Sequence, residues 1–249
     1  MYTLYEKKMI AELNVWKRRM QRDPSLSNML TMRLQNRINN IIPERVHQAF
    51  TLAVKQMTRG VLFGAGFITG APKVIDTMEG REAAVRDCIT VYRNTAAAEG
   101  AITGAGGILL GLADFPLWLS LKMKMLFEIA ALYGHDTSKL HERIYLLHIF
   151  ELCFSSADHR KKVYALLSRW QEHREALPEE IHDFDWRTFQ REYRDYLDVA
   201  KLLQLIPGIG APVGAIVNHR LTTKLGKTAM NAYRLRWISE LNNRKRITP

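Results

Sequence analysis

The chain has 249 residues, of which 47% are hydrophobic and 24% charged, and its formal net charge at pH 7 is +11. This composition excludes a disordered chain, and the length suffices for one large domain with a substantial core. The only cysteines, Cys88 and Cys153, stand alone in helical patterns, which excludes a disulfide scaffold and favours a reducing compartment.

Helix-forming residues dominate the chain and strand-like runs are scarce, which predicts an all-α protein. A basic amphipathic helix is predicted over 3–21, and Asp-Pro-Ser at 23–25 ends it. A helical pattern follows over 26–59, with a new segment starting at Pro43. Another helix is predicted over 76–99.

The second half continues with a mostly apolar helix over 117–134, where Gly134 suits the position just after a helix end. Residues 144–154 are apolar nearly all round and should be buried. Ser-Ser-Ala-Asp at 155–158 starts a helix expected to reach about 174. The clearest amphipathic helix is predicted over 186–203, and a final basic helix over 225–243. The sequence thus predicts a single compact multi-helix domain.

The two ends of the chain carry most of the positive charge. Residues 1–59 and residues 220–249 each have a net charge of +7, whereas residues 60–219 have −3. Such ends attract polyanions, although a well-solvated surface without such a partner is the alternative. No nucleic-acid-binding signature is legible, so an anionic membrane surface is preferred over nucleic acid. The residues expected to meet it are Lys7, Lys17, Arg18, Arg19, Arg220, Lys224, Arg234 and Arg236.

Small apolar patches rich in glycine recur at 60–72, 100–121 and 206–220. Glycines four residues apart on a helix form a groove that another backbone can approach closely. Two interpretations stay open: close helix packing in a core, or contact with lipid. The glycines concerned are Gly64, Gly66, Gly70, Gly100, Gly104, Gly107, Gly111, Gly208, Gly210 and Gly214.

The middle patch predicts a glycine-rich apolar helical hairpin. Pro116 lacks an N–H and disfavours the helical conformation at the residue before it, so the helix should break at 113–116. Asp114 is then placed to cap the next helix. Each arm of about a dozen residues spans roughly 18 Å at the helical rise, too short to cross a bilayer.

Catalytic and metal-binding motifs are weak. The run 208–214 lacks the third glycine of a dinucleotide loop, and 223–228 lacks the first glycine of a Walker A loop. His141, His148 and Glu151 share a helical face, but a buried, hydrogen-bonded His148 is favoured over a metal ligand. No catalytic residue, metal or cofactor is predicted. No secretory signal and no ordinary transmembrane helix are legible, so a cytoplasmic protein is expected.

The runs AAEGAITGAGGILLGLADFPLWLSLKMKMLFEIAALYGHD, HERIYLL and KLLQLIPGIGAPVGAIVNHRLTTKLGKTAMNAYRLR follow one another in an order that resembles the EcsC family. The resemblance covers about residues 45–240. It implies a bacterial, mostly helical protein whose family is named after a gene grouped with ABC transporter subunits, and it supplies no catalytic residues. The polar or rigid positions that fit the family pattern are Asp114, Pro116, Glu142, Arg143, Pro207 and Asn218.

These observations lead to a basic helical extension over 1–44 and an EcsC-like helical domain over 45–249. The expected function is a non-enzymatic, lipid-associated accessory protein, peripheral at the cytoplasmic face of the membrane, with ABC transporter subunits as further partners. The alternative is a soluble enzyme, or a protein that binds a small ligand or lipid, with an internal pocket lined by the glycine-rich helices.

Overall fold

The computed structural model describes residues 2–22, 44–64, 71–105, 115–185, 187, 189 and 211–247. These residues form eight α-helices and a short 3₁₀ helix, with no β-strand among them, which confirms the all-α prediction. The helices are α1 (Leu4–Gln21), α2 (Glu44–Phe63), α3 (Met78–Ala105), α4 (Phe115–Leu132), α5 (Leu140–Phe154), α6 (Ala157–Ser168), α7 (Trp170–Glu175) and α8 (Ala211–Ile247), with the 3₁₀ helix at Ile181–Asp183.

Several helix ends follow from local sequence. Thr3 and Glu6 form a capping box at the start of α1, each bonding the backbone N–H of the other. Ser156 caps α6 by accepting from the His159 N–H. Gly134 follows α4 with a φ of +87°, which confirms the prediction for that glycine. Pro116 lies in the first turn of α4, where its missing N–H costs no hydrogen bond.

Helix α5 lies at the centre of the core. Every residue from 144 to 154 is buried, as its apolar pattern predicts. Helix α4 packs on α5 and is also largely buried. The buried apolar side chains of α2, α3, α6 and α8 join theirs in one hydrophobic cluster. Burial of this cluster supplies the main driving force for folding.

Helix α1 packs onto this body against α3, α6 and α8. It buries Met9 and Leu13 in the shared core, and its Trp16 ring packs edge-on against Tyr164 at 5.8 Å between centroids. The basic segment assigned to the extension over 1–44 is therefore part of the packed body as far as it is described.

Helices α3 and α8 make the most extensive contact between any two described helices. A Cβ atom at Gly100 would lie 2.5 Å from the Gly214 carbonyl oxygen and 2.5 Å from Nδ2 of Asn218. Only glycine permits this approach of the two backbones. Asn218 is buried and accepts from the Trp118 indole N–H at 2.7 Å, which links α4 to the same contact.

Two predicted helices differ from the structure in length. The helix expected from 157 to about 174 breaks at Arg169, whose ψ of 35° separates α6 from α7. The last helix begins at Ala211, earlier than the expected residue 225. Gly214 and Gly226 do not interrupt it, because each lies against another helix. The helix predicted over 186–203 lies almost wholly outside the described residues.

Within the described ranges, no helix combines the length and the apolarity needed to cross a membrane.

Candidate functional site

Helices α1, α3 and α8 enclose an open groove with a volume of about 1000 Å³, called here the basic groove. Its lining contains six cationic side chains besides the buried Arg234, and several apolar ones. The cationic residues are Arg19, Arg86, Arg93, Arg220, Lys224 and Lys227.

Helical spacing places these side chains on facing surfaces. On α3, Arg86 and Arg93 are seven residues apart, with Ile89 between them. On α8, Arg220 and Lys227 repeat the same spacing. Residues seven apart return to the same side of an α-helix after about two turns, so each helix presents one continuous stripe to the groove.

Most of the groove's cations have no carboxylate partner in the part of the chain that is described. Arg19, Arg220 and Lys227 are exposed, and none of them or Arg93 forms an ion pair there. The Nε of Arg93 is buried without a hydrogen bond to a described group. Lys224 donates from Nζ to the Cys153 carbonyl at 2.7 Å, which holds its ammonium beside α5. The groove therefore carries a strong and largely uncompensated positive charge.

The floor of the groove is apolar. Ile89 and Met230 are buried there, and the half-buried Trp16 and Met20 form the α1 side. Val15 is 41% exposed at the rim. An apolar floor beneath a cationic rim suits an amphiphilic anion better than a fully hydrated one.

The groove borders a buried ion-pair network through Arg234 and Glu12. Arg234 donates to both carboxylate oxygens of Glu82, each at 2.6 Å, and also to Glu12 at 3.2 Å. Glu82 also accepts from the Tyr5 hydroxyl, and it lies 3.5 Å from Arg86. Burial raises the pKa of the Tyr5 phenol, so this group stays a neutral donor. The network fixes α1 and α8 to α3.

The structure corrects the predicted set of headgroup contacts at two positions. Arg234 and Arg236 are 6% and 5% exposed, and both form bidentate ion pairs inside the protein. They are two residues apart on α8, so they point to different neighbours, Arg234 to α3 and Arg236 to α5. A guanidinium that is buried and paired has no free N–H groups for a lipid headgroup. Arg234 and Arg236 are therefore not headgroup contacts.

The other predicted basic residues lie on the surface. Arg19, Arg220 and Lys224 line the groove, whereas Lys7 and Arg18 are exposed on α1 outside it. Lys17 is half-buried, and burial lowers its pKa. Basic residues from both ends of the chain therefore line the same groove.

Glu142, one of the positions that fit the family pattern, is the partner of Arg236. Its two carboxylate oxygens accept from Arg236 at 2.7 Å each, and His141 lies 3.3 Å away. Burial raises the pKa of Glu142, but hydrogen bonds from His141 and Arg236 outweigh burial and bring the pKa well below its ordinary value. Burial and the nearby Arg236 lower the pKa of His135 to about 4, so this imidazole is neutral at pH 7. The ion pair between Glu142 and Arg236 is buried and joins α5 to α8.

Five other residues fit the family pattern, and the structure describes three of them. Asn218 joins α3, α4 and α8 as described above, and Pro116 opens α4. Arg143 is half-buried, and burial lowers its pKa against the opposing effect of Glu180. Asp114 and Pro207 lie outside the described residues, so the tip of the predicted hairpin stays a prediction.

Among the predicted glycines, Gly100 and Gly214 meet at the close contact of α3 and α8. Gly64 follows α2 with a φ of +72°, a conformation that glycine adopts without strain. Gly104 lies within the last turns of α3. The glycines outside the described residues are Gly66, Gly70, Gly107, Gly111, Gly208 and Gly210.

Sequence reasoning missed three of the groove's cations, Arg86, Arg93 and Lys227. Two of them lie in the near-neutral middle of the chain, where regional net charge hides them. The signal that reveals them is their spacing, since basic residues repeat every seven positions on the stripes of α3 and α8.

Comparisons with known proteins confirm the family resemblance. The model of the EcsC protein family matches residues 7–238, a range that includes α1, whereas the resemblance seen in the sequence begins near residue 45. Protein EcsC of Bacillus subtilis (strain 168) is 42% identical over 227 residues, covering 90% of this chain and 93% of that protein. The uncharacterized protein YdbA of the same organism is 30% identical over 147 residues, covering 59% of this chain and 54% of that protein. No solved structure matches. The chain belongs to the EcsC protein family.

Proposed function

We propose that this protein is a non-enzymatic accessory protein that lies on the cytoplasmic face of the membrane and binds anionic phospholipid headgroups in its basic groove. The observation that carries the proposal is the combination of unpaired cations and an apolar floor in one open groove. Each Lys or Arg near an anionic membrane surface contributes about 1 kcal/mol of attraction. Apolar side chains at the rim add contact with the upper part of the acyl chains.

The apolar lining favours a lipid over a nucleic acid. Grooves that bind single-stranded nucleic acids present successive aromatic rings on which bases stack. Here Trp16 is the one aromatic residue among the described lining residues, and its ring is already engaged with Tyr164. The other apolar side chains of the groove are aliphatic or thioether groups.

The proposal assigns membrane contact to the groove and not to the described glycines. Gly100 and Gly214 are buried against each other's helix, so they give no apolar surface to a bilayer. The family resemblance supports a second part of the proposal, that ABC transporter subunits are partners at the membrane. Co-purification of tagged protein from membranes with and without the transporter tests that part separately.

The proposed headgroup binding is tested by vesicle flotation with phosphatidylcholine alone and with about one-third phosphatidylglycerol, at low and high salt. We expect flotation with the anionic vesicles that weakens at high salt. The test variant combines Arg19→Glu, Arg220→Glu and Lys227→Glu, all at exposed positions of the groove. Losing three contacts of about 1 kcal/mol each should reduce partitioning by at least about a hundredfold.

The matched control combines Lys73→Glu, Lys124→Glu and Lys139→Glu, which changes the net charge equally at exposed sites outside the groove. The control should float nearly as well as the unmodified protein. Equal loss in both triple variants would show that net charge acts without a groove. Binding of a single-stranded oligonucleotide, with no binding of either vesicle, would contradict the lipid proposal.

A further inference from the structure

Helices α3, α4 and α8 meet at one end of the body. Gly100 of α3 lies against Gly214 of α8, and Trp118 of α4 donates to Asn218 of α8 at 2.7 Å. These contacts place the last described turns of α3 beside the first turns of α4 and α8. This part of the body is called here the apolar end, and its described residues are 94–102, 115–121 and 214–219.

Three large apolar side chains are exposed around the apolar end. Ile102 is 70% exposed, Leu117 57% and Ile216 51%. Residues two apart on an α-helix lie about 200° apart around its axis. Since Gly100 and Gly214 face each other, Ile102 and Ile216 point away from the α3–α8 contact in opposite directions. A protein docked on one side would cover one of them, whereas surrounding acyl chains would cover both, so the arrangement favours lipid.

The apolar end exposes no charge, and the cations of the basic groove begin just beyond it. Among its described residues, Glu99 is the one charged side chain, and it is half-buried. Arg93 and Arg220, which line the groove, lie seven residues before Gly100 and six after Gly214. At about 1.5 Å per residue, both stand about 10 Å from the Gly100–Gly214 contact, on the side away from the helix ends. Apolar and cationic residues therefore occupy successive levels of the body.

We propose that the apolar end inserts among the acyl chains of an anionic bilayer, while the adjoining part of the basic groove meets the headgroups. This inference rests on the proposed function and adds which part of the protein enters the lipid. Interfacial segments bury about 5–10 Å into the boundary between headgroups and acyl chains. Ile216 lies about one helical turn before Arg220, so insertion to this depth buries the isoleucine and leaves the arginine at the headgroups.

Quenching by spin-labelled lipid tests the insertion. A fluorophore is attached to the full chain at Ile102→Cys, Leu117→Cys or Ile216→Cys, with both native cysteines buried. The control is Val74→Cys, an exposed apolar position beside the far end of α4, since the residue before it donates its N–H to the Ala131 carbonyl. The vesicles contain about one-third phosphatidylglycerol and a lipid spin-labelled on its acyl chain. The three labels at the apolar end should be quenched, and the control label should not.

A triple variant separates insertion from headgroup binding. It combines Ile102→Ser, Leu117→Ser and Ile216→Ser, all at exposed positions, and Val74→Ser is the control. Flotation of the triple variant at low salt should persist, because the cations of the groove remain. At high salt, which screens those cations, its partitioning should fall at least about tenfold below that of the unmodified protein.

The outcomes distinguish this inference from the proposed function. Flotation with no quenching at any of the three positions, or with equal quenching at position 74, would overturn the inference and leave headgroup binding intact. Absence of flotation under every condition would overturn both. Burial of the three labels in a stable dimer without vesicles, seen by gel filtration, would assign the apolar end to a second copy of this chain and contradict insertion.

Discussion

Lys122 is a buried cation whose removal should stabilise the protein. Its side chain is fully buried in α4, and Nζ makes no hydrogen bond with any described residue. The ammonium lies 4.7 Å from the centroid of the Trp118 ring. Burial lowers the pKa of Lys122 from its ordinary 10.5 to about 7, against a weaker opposing effect of Glu99. We predict that Lys122→Met, which keeps a side chain of similar length without the charge, is more stable than the unmodified protein at pH 7.

The magnitude follows from the pKa difference. A fall from 10.5 to about 7 corresponds to about 5 kcal/mol of unfavourable free energy for the charged folded state, at about 1.4 kcal/mol per pKa unit. The variant also loses the attraction between the ammonium and the Trp118 ring, worth about 2 kcal/mol when desolvated. We therefore expect a net gain of about 3 kcal/mol at pH 7.

The stability advantage of Lys122→Met should decrease as the pH rises above 7. Between pH 7 and 10.5 the unfolded lysine holds a proton that the folded lysine has lost, so the stability of the unmodified protein rises with pH. The advantage of Lys122→Met should therefore shrink by about 2 kcal/mol between pH 7 and about pH 9, because the folded lysine is still half protonated at pH 7. Below pH 7 the lysine is charged in both states, and the advantage should be largest and constant.

The assay is urea unfolding followed by circular dichroism at each pH, with the two proteins compared so that other titrating groups cancel. Lys124→Met on the same helix is the matched control, because Lys124 is exposed. It should show no pH-dependent difference. A stability difference for Lys122→Met that stays the same from pH 7 to about pH 9 would refute the reasoning.

Three further predictions concern packing, ion pairing and thiol reactivity. Gly100→Ala should destabilise the fold by about 1–3 kcal/mol in thermal unfolding, and more than Gly226→Ala, because its methyl meets the Gly214 backbone carbonyl, whereas a methyl at Gly226 meets only the side chain of Ile89. Arg236→Met should cost about 3–5 kcal/mol in urea unfolding, since it leaves the Glu142 carboxylate buried without its partner; a cost near zero would contradict the core assignment of the pair. Neither cysteine should react with a thiol reagent in the folded protein, because both are buried and burial raises the pKa of the Cys88 thiol to about 12; rapid labelling of the native protein would show that the core opens.

Local sequence signals predicted the features that depend on neighbouring residues. The apolar run 144–154 gave a buried α5, and Gly134 and Ser156 took the terminal positions expected of them. These features require only the helical period and the capping chemistry of residues a few positions apart. The same reasoning supported an all-α fold.

Features that depend on contacts between residues far apart in the sequence could not be predicted. Arg234 and Glu82 are 152 residues apart, and Arg236 and Glu142 are 94 apart, so nothing in the local pattern of α8 indicates that these arginines are buried. For a similar reason, the last helix was predicted to begin only at residue 225, beyond Gly214. Its cost in helix propensity is offset by the close approach of α3, which only the folded structure shows.

The basic groove contains residues that the sequence predicted and residues that it did not. The charge of each chain end indicated that Arg19 and Arg220 belong to an anion-binding surface, and the structure places both in the same groove. The groove itself depends on α1 packing beside α3 and α8. This packing adds Arg86 and Arg93, whose region of the chain has no net positive charge.

The measurement that tests the central claim most directly reports which face of the protein meets the membrane. An environment-sensitive fluorophore is attached at Thr223→Cys in the groove or, as control, at Lys139→Cys on an exposed site outside it, with both native cysteines buried. On addition of vesicles containing phosphatidylglycerol, the groove label should shift to the blue and the control label should not. A shift at position 139 with none at position 223, or no shift at either position, would contradict the assignment of the groove as the membrane-binding surface.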